Sequence, residues 1–205
     1  MTDPAIVLGF DFSLSSTGWA RGIFGGTDEA VPDTWGVIKG QAPTGATRLQ
    51  RIERLQRVRD AVFEIFHSGL PALVMIEDYA FSKGNQAHYI GELGGVLRLA
   101  LHERGYRMGE QVFLVGTLAL KKFVTGSGSA DKRAMLLGCN KRWGFDDTKA
   151  SDDVVDAYGL MRIGEALHFY KLGFHDQLTV FQREVVEDLL DITSKKPKGG
   201  KKANG

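Results

Sequence analysis

The order of apolar segments restricts the fold of this chain more than any other feature. Three strands are predicted in succession, and after them strands alternate with amphipathic helices. The strands are predicted at 5–12, 17–25, 34–40, 72–80 and 111–116, and the helices at 46–67, 86–103, 130–142, 151–167 and 177–192. This order is typical of an α/β domain with a mixed sheet and helices on both faces.

No linker or repeat divides the chain, and 205 residues suffice for one well-packed core. We expect a single domain over 1–193, in which 168–193 form a C-terminal helical extension. The tail, 194–205, contains five lysines and no acid, and we expect it to be disordered. Without those lysines the body has 21 basic and 25 acidic residues, a net charge of −4, which disfavours nucleic-acid binding unless cations join it.

The sequence also indicates a cytosolic protein. No run approaches the roughly 18 apolar residues of a membrane span, and the N-terminus lacks a signal pattern. A single cysteine, Cys139, excludes an internal disulfide. We therefore expect no membrane partner and a cytoplasmic location.

Carboxylates stand where the apolar pattern predicts buried side chains. Asp11 lies inside the first predicted strand ("AIVLGFDF"), and Glu77 ends the apolar run "LVMIE". Asp153 and Asp156, spaced i, i+3, share a face near the start of the helix at 151–167, and Asp152 can share it too. A charged carboxylate in an apolar segment is costly unless it is paired or bound to metal.

Each placement has a purely structural alternative. Asp11 could cap the serines that follow it, Glu77 could form an ion pair, and Asp152 or Asp153 could cap the helix. Three such placements in one fold favour a cation instead, because converging carboxylates repel. Hard oxygen ligands suit Mg²⁺ or Mn²⁺, and two ions about 4 Å apart clamp both reacting oxygens of a phosphodiester.

The segment "LKKFVTGSGSADKRAM" supplies the cationic side chains that a phosphate would need. Ser129 is predicted to cap the helix at 130–142, which puts Lys132 in its first turn. A lysine there opposes the helix dipole and is favourable only beside a bound anion. The Gly-Lys-Ser/Thr ending of a Walker loop is missing. Lys121 and Lys122 either join this site or are ordinary surface lysines.

Four blocks in order, "GFDFSLSSTGW", "MIEDYAF", "KKFVTGSGSADKR" and "DDVVDAYGL", resemble the RuvC-type Holliday junction resolvases of the RNase H-like nuclease superfamily, over about 5–167. The resemblance implies a five-stranded mixed sheet, a homodimer and paired nicking of four-way DNA junctions. It implies two Mg²⁺ ions per active site, with Mn²⁺ as a substitute. The implied metal ligands are Asp11, Glu77, Asp153 and Asp156, with Asp152 as an alternative, and Lys132 matches the family's active-site lysine.

The chain departs from the family pattern at two places. The usual Asp-Pro-Gly is Asp11-Phe12-Ser13 here, and Ala80 replaces a junction-probing phenylalanine. Either neighbour of Ala80 could stack on an unpaired base, a contact worth ~1–3 kcal/mol. The DNA-contact residues that we expect are Lys121, Lys122, Lys132, Arg133, Tyr79, Phe81, Ser82 and Lys83.

The dimer contact is expected at the helix 86–103. Its "IGELGGVLRLAL" segment places Gly91, Gly94 and Gly95 beside Leu93, Leu97 and Leu101, although an ordinary core helix would show the same pattern. The arginines at 48, 51, 54, 57 and 59 form either a DNA-backbone face or a solvated one. His88 could approach a scissile phosphate, but none of the histidines has metal-ligand spacing.

Three other functions are compatible with some of these features. An RNase H-like nuclease could act on other branched or flapped DNA or on structured RNA, and a junction-binding module would not cleave. An actin-like or sugar-kinase ATPase needs two domains, which this length excludes. The short chain and its departures also suit a phage-encoded member, located in a bacterial cell or a phage-infected host.

Overall fold

The fold is built on a five-stranded mixed sheet. A computed structural model describes residues 3–13, 16–26, 31–40, 45–78 and 87–191. The strands are β1 (Ala5–Phe12), β2 (Ser16–Phe24), β3 (Thr34–Lys39), β4 (Leu73–Glu77) and β5 (Val112–Val115), in the sheet order β3-β2-β1-β4-β5. The predicted RNase H-like α/β class and all five strands are confirmed, with ends shifted by at most a few residues.

Strand register brings two of the acidic positions to one edge of the sheet. β1 is antiparallel to β2 and parallel to β4, with Phe10 opposite Ile76. The next residue on each strand is an acid, Asp11 on β1 and Glu77 on β4. Both lie at the carboxyl ends of their strands, where open α/β sheets bind ligands.

Helices cover both faces of the sheet. They are α1 (Arg48–Phe66), α2 (Ala87–Glu103), α3 (Thr117–Thr125), α4 (Lys132–Trp143), α5 (Asp152–Lys171) and α6 (Val180–Leu189). α1 and α2 pack on one face in one apolar cluster, and α3 to α6 pack on the other in a second cluster. α3 was not predicted. No helix in the described ranges combines the length and apolar character needed to cross a bilayer.

α1 differs from its predicted amphipathic pattern. Leu49 and Ile52, which have the helical spacing of the buried Leu55, are exposed, whereas Arg54, one of the arginines predicted to form a DNA-backbone or solvated face, is buried. The helix starts after Thr47, whose side chain and that of Gln50 form a capping box. Arg54 is buried because its guanidinium donates a hydrogen bond to the carbonyl of Gly40, at the end of β3.

α5 lies unusually close to the sheet, and this closeness positions the acids at its start. A Cβ atom added at Gly18 of β2 would lie 2.0 Å from the carbonyl oxygen of Asp153. One added at Gly9 of β1 would lie 2.1 Å from that of Ala157. Only glycine leaves room for a helix backbone at this distance, so β1 and β2 hold the first two turns of α5 directly over the carboxyl end of β1.

Two predicted helix ends are corrected. α4 is capped by Asp131, whose carboxylate accepts from the amide of Ala134, and Ser129 lies outside the helix because it bonds within the preceding loop. Lys132 nonetheless lies in the first turn, as predicted, and is the first helical residue. α5 runs four residues beyond 167, so the start of the predicted extension lies within it. The predicted tail, 194–205, is outside the described residues.

Candidate active site

Four carboxyl groups from three elements meet at the carboxyl edge of the sheet. Asp11 lies in the buried part of β1, one residue before the strand ends, and is only 7% exposed. It hydrogen-bonds to Glu77 of β4 and interacts electrostatically with Asp153 and Asp156, in the first two turns of α5. The sequence-predicted carboxylate set is therefore gathered in one place by β1, β4 and α5.

The proximity of these groups changes their protonation. Burial raises the pKa of Asp11 to about 10, and the hydrogen bond and negative charge of Glu77 add to this effect. Burial and the charge of Glu77 also raise the pKa of Asp156 to about 7, although Lys121 opposes the rise. Asp11 is therefore protonated at neutral pH in the absence of metal, mainly because burial disfavours its charged form and the neighbouring carboxylates add to this effect.

Hydroxyl groups orient two of the four carboxylates. Thr117, the first residue of α3, donates to Oε1 of Glu77 at 2.7 Å. Ser16 donates to Oδ2 of Asp153, and the Ser13 hydroxyl lies 3.3 Å from the same oxygen. Sequence reasoning missed these three hydroxyl residues as site residues. The serines lie in the first family-like block, and that proximity in sequence is the only signal that pointed to them.

Asp152 and Asp153 have different surroundings. Asp152 is exposed and its Oδ2 accepts from Nζ of Lys132. This contact, with the charges of Asp153 and Asp156, raises the pKa of Lys132 above its ordinary value. The carboxylate of Asp153 instead accepts a hydrogen bond from Ser16, at the start of β2, and its charge helps to raise the pKa of Asp11. The geometry therefore favours Asp153 over Asp152 as the member of the cluster.

The predicted basic residues do not all face the carboxylates. Lys121 interacts with Asp156, and Lys132 borders the cluster through Asp152. Lys122 points to α6, where its Nζ bonds to Oε2 of Glu184 at 2.6 Å. Arg133 is exposed in the first turn of α4.

Several predicted contacts lie beyond what the structure describes. Tyr79, Phe81, Ser82 and Lys83 fall outside the described residues, as does the side chain of His88.

The donor chemistry of the cluster fits a hard divalent cation. Within the described ranges, no group of three or more His, Cys, Asp or Glu side chains has the arrangement of a ready metal site. The fit therefore depends on chemical type: the four carboxylates supply the hard oxygen ligands that such a cation prefers, and their mutual repulsion adds to the burial that raises the pKa of Asp11. Metal binding would displace the protons that the cluster now holds.

Comparison with known proteins places this site in a family context. Residues 7–161 match the family model described as crossover junction endodeoxyribonuclease RuvC. The chain is 29% identical over 152 residues to the RuvC of Treponema denticola, covering 74% of this chain and 80% of that protein. It is 30% identical over 160 residues to the RuvC of Corynebacterium glutamicum, covering 75% of this chain and 66% of that protein.

Solved structures show the same fold. Thermus thermophilus RuvC aligns with a TM-score of 0.62 and 22% identity, covering 82% of this chain and 97% of that one. The same protein in complex with a Holliday junction substrate aligns with a TM-score of 0.64 and 23% identity, covering 83% of this chain and 97% of that one.

Proposed function

This chain belongs to the RuvC family of crossover junction endodeoxyribonucleases, and from that premise we propose that it resolves four-way DNA junctions by paired, symmetric nicks. The observation that carries the proposal is the cluster around Asp11, where three elements gather four carboxyl groups. A cluster so short of positive charge is suited to metal-assisted hydrolysis of a phosphodiester.

Asp11, Glu77, Asp153 and Asp156 are the proposed ligands of two Mg²⁺ ions, for which Mn²⁺ can substitute. Nucleases of this family depend on divalent metal ions. When bound, the ions would polarise the attacking water and stabilise the departing 3′ oxygen. Asp152 is the weaker candidate because its carboxylate is already paired with Lys132.

Cationic side chains around the cluster are proposed to bind the phosphate. Lys132, at the start of α4, would stabilise the charge that develops on the scissile phosphate. To do so, its ammonium group would leave Asp152, with which it is paired here, and bind the DNA. Lys121 offsets the charge of Asp156. Lys122 and Arg133 would contact neighbouring phosphates, and the side chains of Tyr79, Phe81, Ser82 and Lys83 remain predicted DNA contacts.

Paired nicks require two active sites, so we propose a homodimer. The leucines of α2 are not its dimer surface, since Leu93, Leu97 and Leu101 are buried in the subunit's own core. Among the described residues the opposite side of α2 is open: a Cβ added at Gly91 or Gly95 would meet no described atom within 4 Å, and Leu99 is 58% exposed. This open side is the proposed contact.

The remaining assignments follow from the proposed substrate. Residues 1–193 are proposed to act as one nuclease domain, with 168–193 as its C-terminal extension and 194–205 as a basic tail. Because the proposed substrate is recombining DNA, we propose that the protein acts in the cytoplasm of a bacterial cell or of a phage-infected host.

The test is a cleavage assay on a synthetic four-way junction with each strand labelled in turn, in Mg²⁺. Linear duplex, flap and RNA–DNA hybrid serve as competing substrates. Asp11→Asn removes a proposed ligand, and Asp60→Asn removes an exposed carboxylate far from the cluster as the matched control. We expect matched nicks on two opposed strands from the wild type and Asp60→Asn, and none from Asp11→Asn.

Other outcomes would contradict the proposal in distinct ways. Preferred cutting of flaps or hybrids would assign the chain to another branch of RNase H-like nucleases. Junction binding without cutting in Mg²⁺ or Mn²⁺ would make it a binding module. Full cleavage by Asp11→Asn would exclude the carboxylate cluster as the catalytic centre.

A further inference from the structure

The turn between β1 and β2 reaches the helix that bears two of the proposed metal ligands. Ser16, the first residue of β2, donates its hydroxyl hydrogen to Oδ2 of Asp153. The hydroxyl oxygen of Ser13, just after β1, lies 3.3 Å from the same carboxylate oxygen. Both contacts join residues almost 140 positions apart in the sequence, so they are tertiary contacts that depend on the packing of α5 over the sheet.

The two serines have different roles, because a hydroxyl has only one hydrogen to donate. Ser13 Oγ lies 2.5 Å from the carbonyl oxygen of Ser16 and accepts from the Ser16 amide at 3.1 Å. Its hydrogen is therefore used within the turn, where the Ser13 amide also donates to the Ser16 carbonyl at 2.9 Å. Ser13 closes the turn, and Ser16 is the donor to Asp153.

A buried arginine holds the turn from the other side of the sheet. Arg54 of α1 is 6% exposed, and its Nε donates to the carbonyl of Gly40. Its Nη2 lies 3.5 Å from the carbonyl oxygen of Ser13. The charge of Glu92 on α2 favours the guanidinium there. A guanidinium is buried at this cost only where its donors are used, so Arg54 holds the backbone carbonyl of Ser13 in place.

We propose that Ser16 is a positioning residue that presets the carboxylate of Asp153 for metal, in a turn closed by Ser13 and anchored by Arg54. The inference rests on the proposed role of Asp153 as a ligand. By engaging Oδ2, the Ser16 hydroxyl fixes the rotation of the carboxylate before metal arrives. Removing such an outer-shell partner commonly lowers metal affinity or activity by about 10–100-fold.

The test measures Mn²⁺ affinity of the full chain without DNA, by electron paramagnetic resonance titration at one pH. Ser16→Ala removes the donor, and Ser16→Thr keeps it. Ser68→Ala removes a hydroxyl that bonds to the carbonyl of Ile65, far from the cluster, and is the matched control. We expect Ser16→Ala to weaken Mn²⁺ binding about tenfold, with Ser16→Thr and Ser68→Ala close to wild type.

Asp153→Asn in the same titration separates this inference from the proposed function. If Asp153→Asn weakens binding and Ser16→Ala does not, the positioning role is wrong and the ligand set stands. If Ser16→Thr is as weak as Ser16→Ala, local packing and not the hydroxyl is responsible, and the inference also fails. If neither the wild type nor Asp153→Asn shows specific Mn²⁺ binding, the proposed metal function itself is wrong.

Discussion

At the scale of single residues, the position of Asp11 shows how a costly side chain is retained in a strand. Its neighbours on β1 form the buried core, so the carboxyl group is largely removed from water. The parallel register with β4 sets it beside Glu77, and the close packing of α5 adds Asp153 and Asp156. These contacts disfavour the charged form of Asp11. Two bound cations would favour the charged form instead.

Asp11→Asn should stabilise the metal-free protein above neutral pH. The pKa of Asp11 is raised to about 10 in the fold, from 3.8, so the native state binds a proton that the unfolded chain releases. Stability conferred by this group is therefore present at low pH and lost as the pH rises. Asparagine does not ionise, so we expect the variant to gain about 1–3 kcal/mol over wild type at pH 8.

The measurement is chemical unfolding in EDTA at several pH values from 5 to 9. The wild type should lose stability more steeply with pH than Asp11→Asn, and some slope should remain in the variant because the pKa of Asp156 is also raised, to about 7. Parallel curves for the two proteins would show that Asp11 is ionised in the fold without metal.

Neutralising Asp152 and neutralising Asp153, at the start of α5, should have different effects on cleavage. Asp153→Asn removes a carboxylate that acts on Asp11, and we expect single-turnover nicking to fall by about 100-fold or more. Asp152→Asn removes an exposed carboxylate that pairs with Lys132 and helps to raise the pKa of Asp156, so a loss of no more than about tenfold is expected. The reverse order of the two losses would identify Asp152 as the ligand.

At the scale of elements, the sequence predicted what depends on apolar periodicity. β1 and β4 are short apolar runs between turn residues, and their positions follow from that pattern alone. α3 was missed because it follows β5 after a single residue, Gly116, and is only nine residues long. Its apolar positions Leu120, Phe123 and Val124 have helical spacing, but so short a segment before a Gly/Ser loop also suits a turn.

Contacts between elements were beyond sequence reasoning. Arg54 follows the three-residue spacing of its exposed neighbours, and its burial depends on Gly40, which comes from β3. The separate roles of Asp152 and Asp153 likewise depend on Lys132 of α4 and Ser16 of β2. The carboxylate set could be predicted because each acid interrupts an apolar pattern or shares a helix face. The hydroxyl groups that bond to these carboxylates could not be predicted, because serine and threonine are common in turns.

The contact between α3 and α6 predicts an effect on DNA binding. Glu184 of α6 holds Nζ of Lys122, a predicted DNA contact, at 2.6 Å. Glu184→Gln should free Lys122, so junction affinity should rise a few-fold and the slope of log K against log[salt] should steepen by about 0.9 if the lysine meets one phosphate. Fluorescence anisotropy in Ca²⁺ across a salt series would measure both quantities.

Glu110→Gln is the matched control for that experiment, because Glu110 forms a comparable exposed ion pair with Arg107 at 2.6 Å. Each variant should change the free energy of unfolding by less than about 1 kcal/mol, as exposed pairs do. Equal affinity and an equal salt slope for Glu184→Gln and wild type would mean that Lys122 serves only to hold α6.

At the scale of the whole molecule, the two faces of the sheet have separate tasks. α5 and α3 on one face bring proposed ligands and a hydroxyl partner to the carboxyl edge. α1 and α2 cover the other face, and Arg54 connects that side to the β1–β2 turn. The outer side of α2 is thereby left for the proposed second copy, while the proposed catalytic groups all come from one subunit.

Gly95→Glu should separate dimerisation from folding and from metal binding. A Cβ at Gly95 would meet no atom of the described part of the chain within 4 Å, and glutamate favours a helix over glycine by roughly 0.5–1 kcal/mol. The variant should therefore fold at least as stably as wild type, yet its side chain would block close approach of a second α2. Sedimentation equilibrium should show a monomer, and Leu70→Glu, a charge added at an exposed site 78% accessible, should remain a dimer.

The cleavage pattern of the Gly95→Glu monomer then tests why a resolvase needs two copies. Each subunit keeps its own Asp11 cluster, so Mn²⁺ affinity should match wild type and residual nicks should occur singly. The coupling of the second nick to the first should be lost, because the two sites are no longer held on opposed strands. A stable monomer that still makes paired nicks would place the dimer contact outside α2 or remove the need for it.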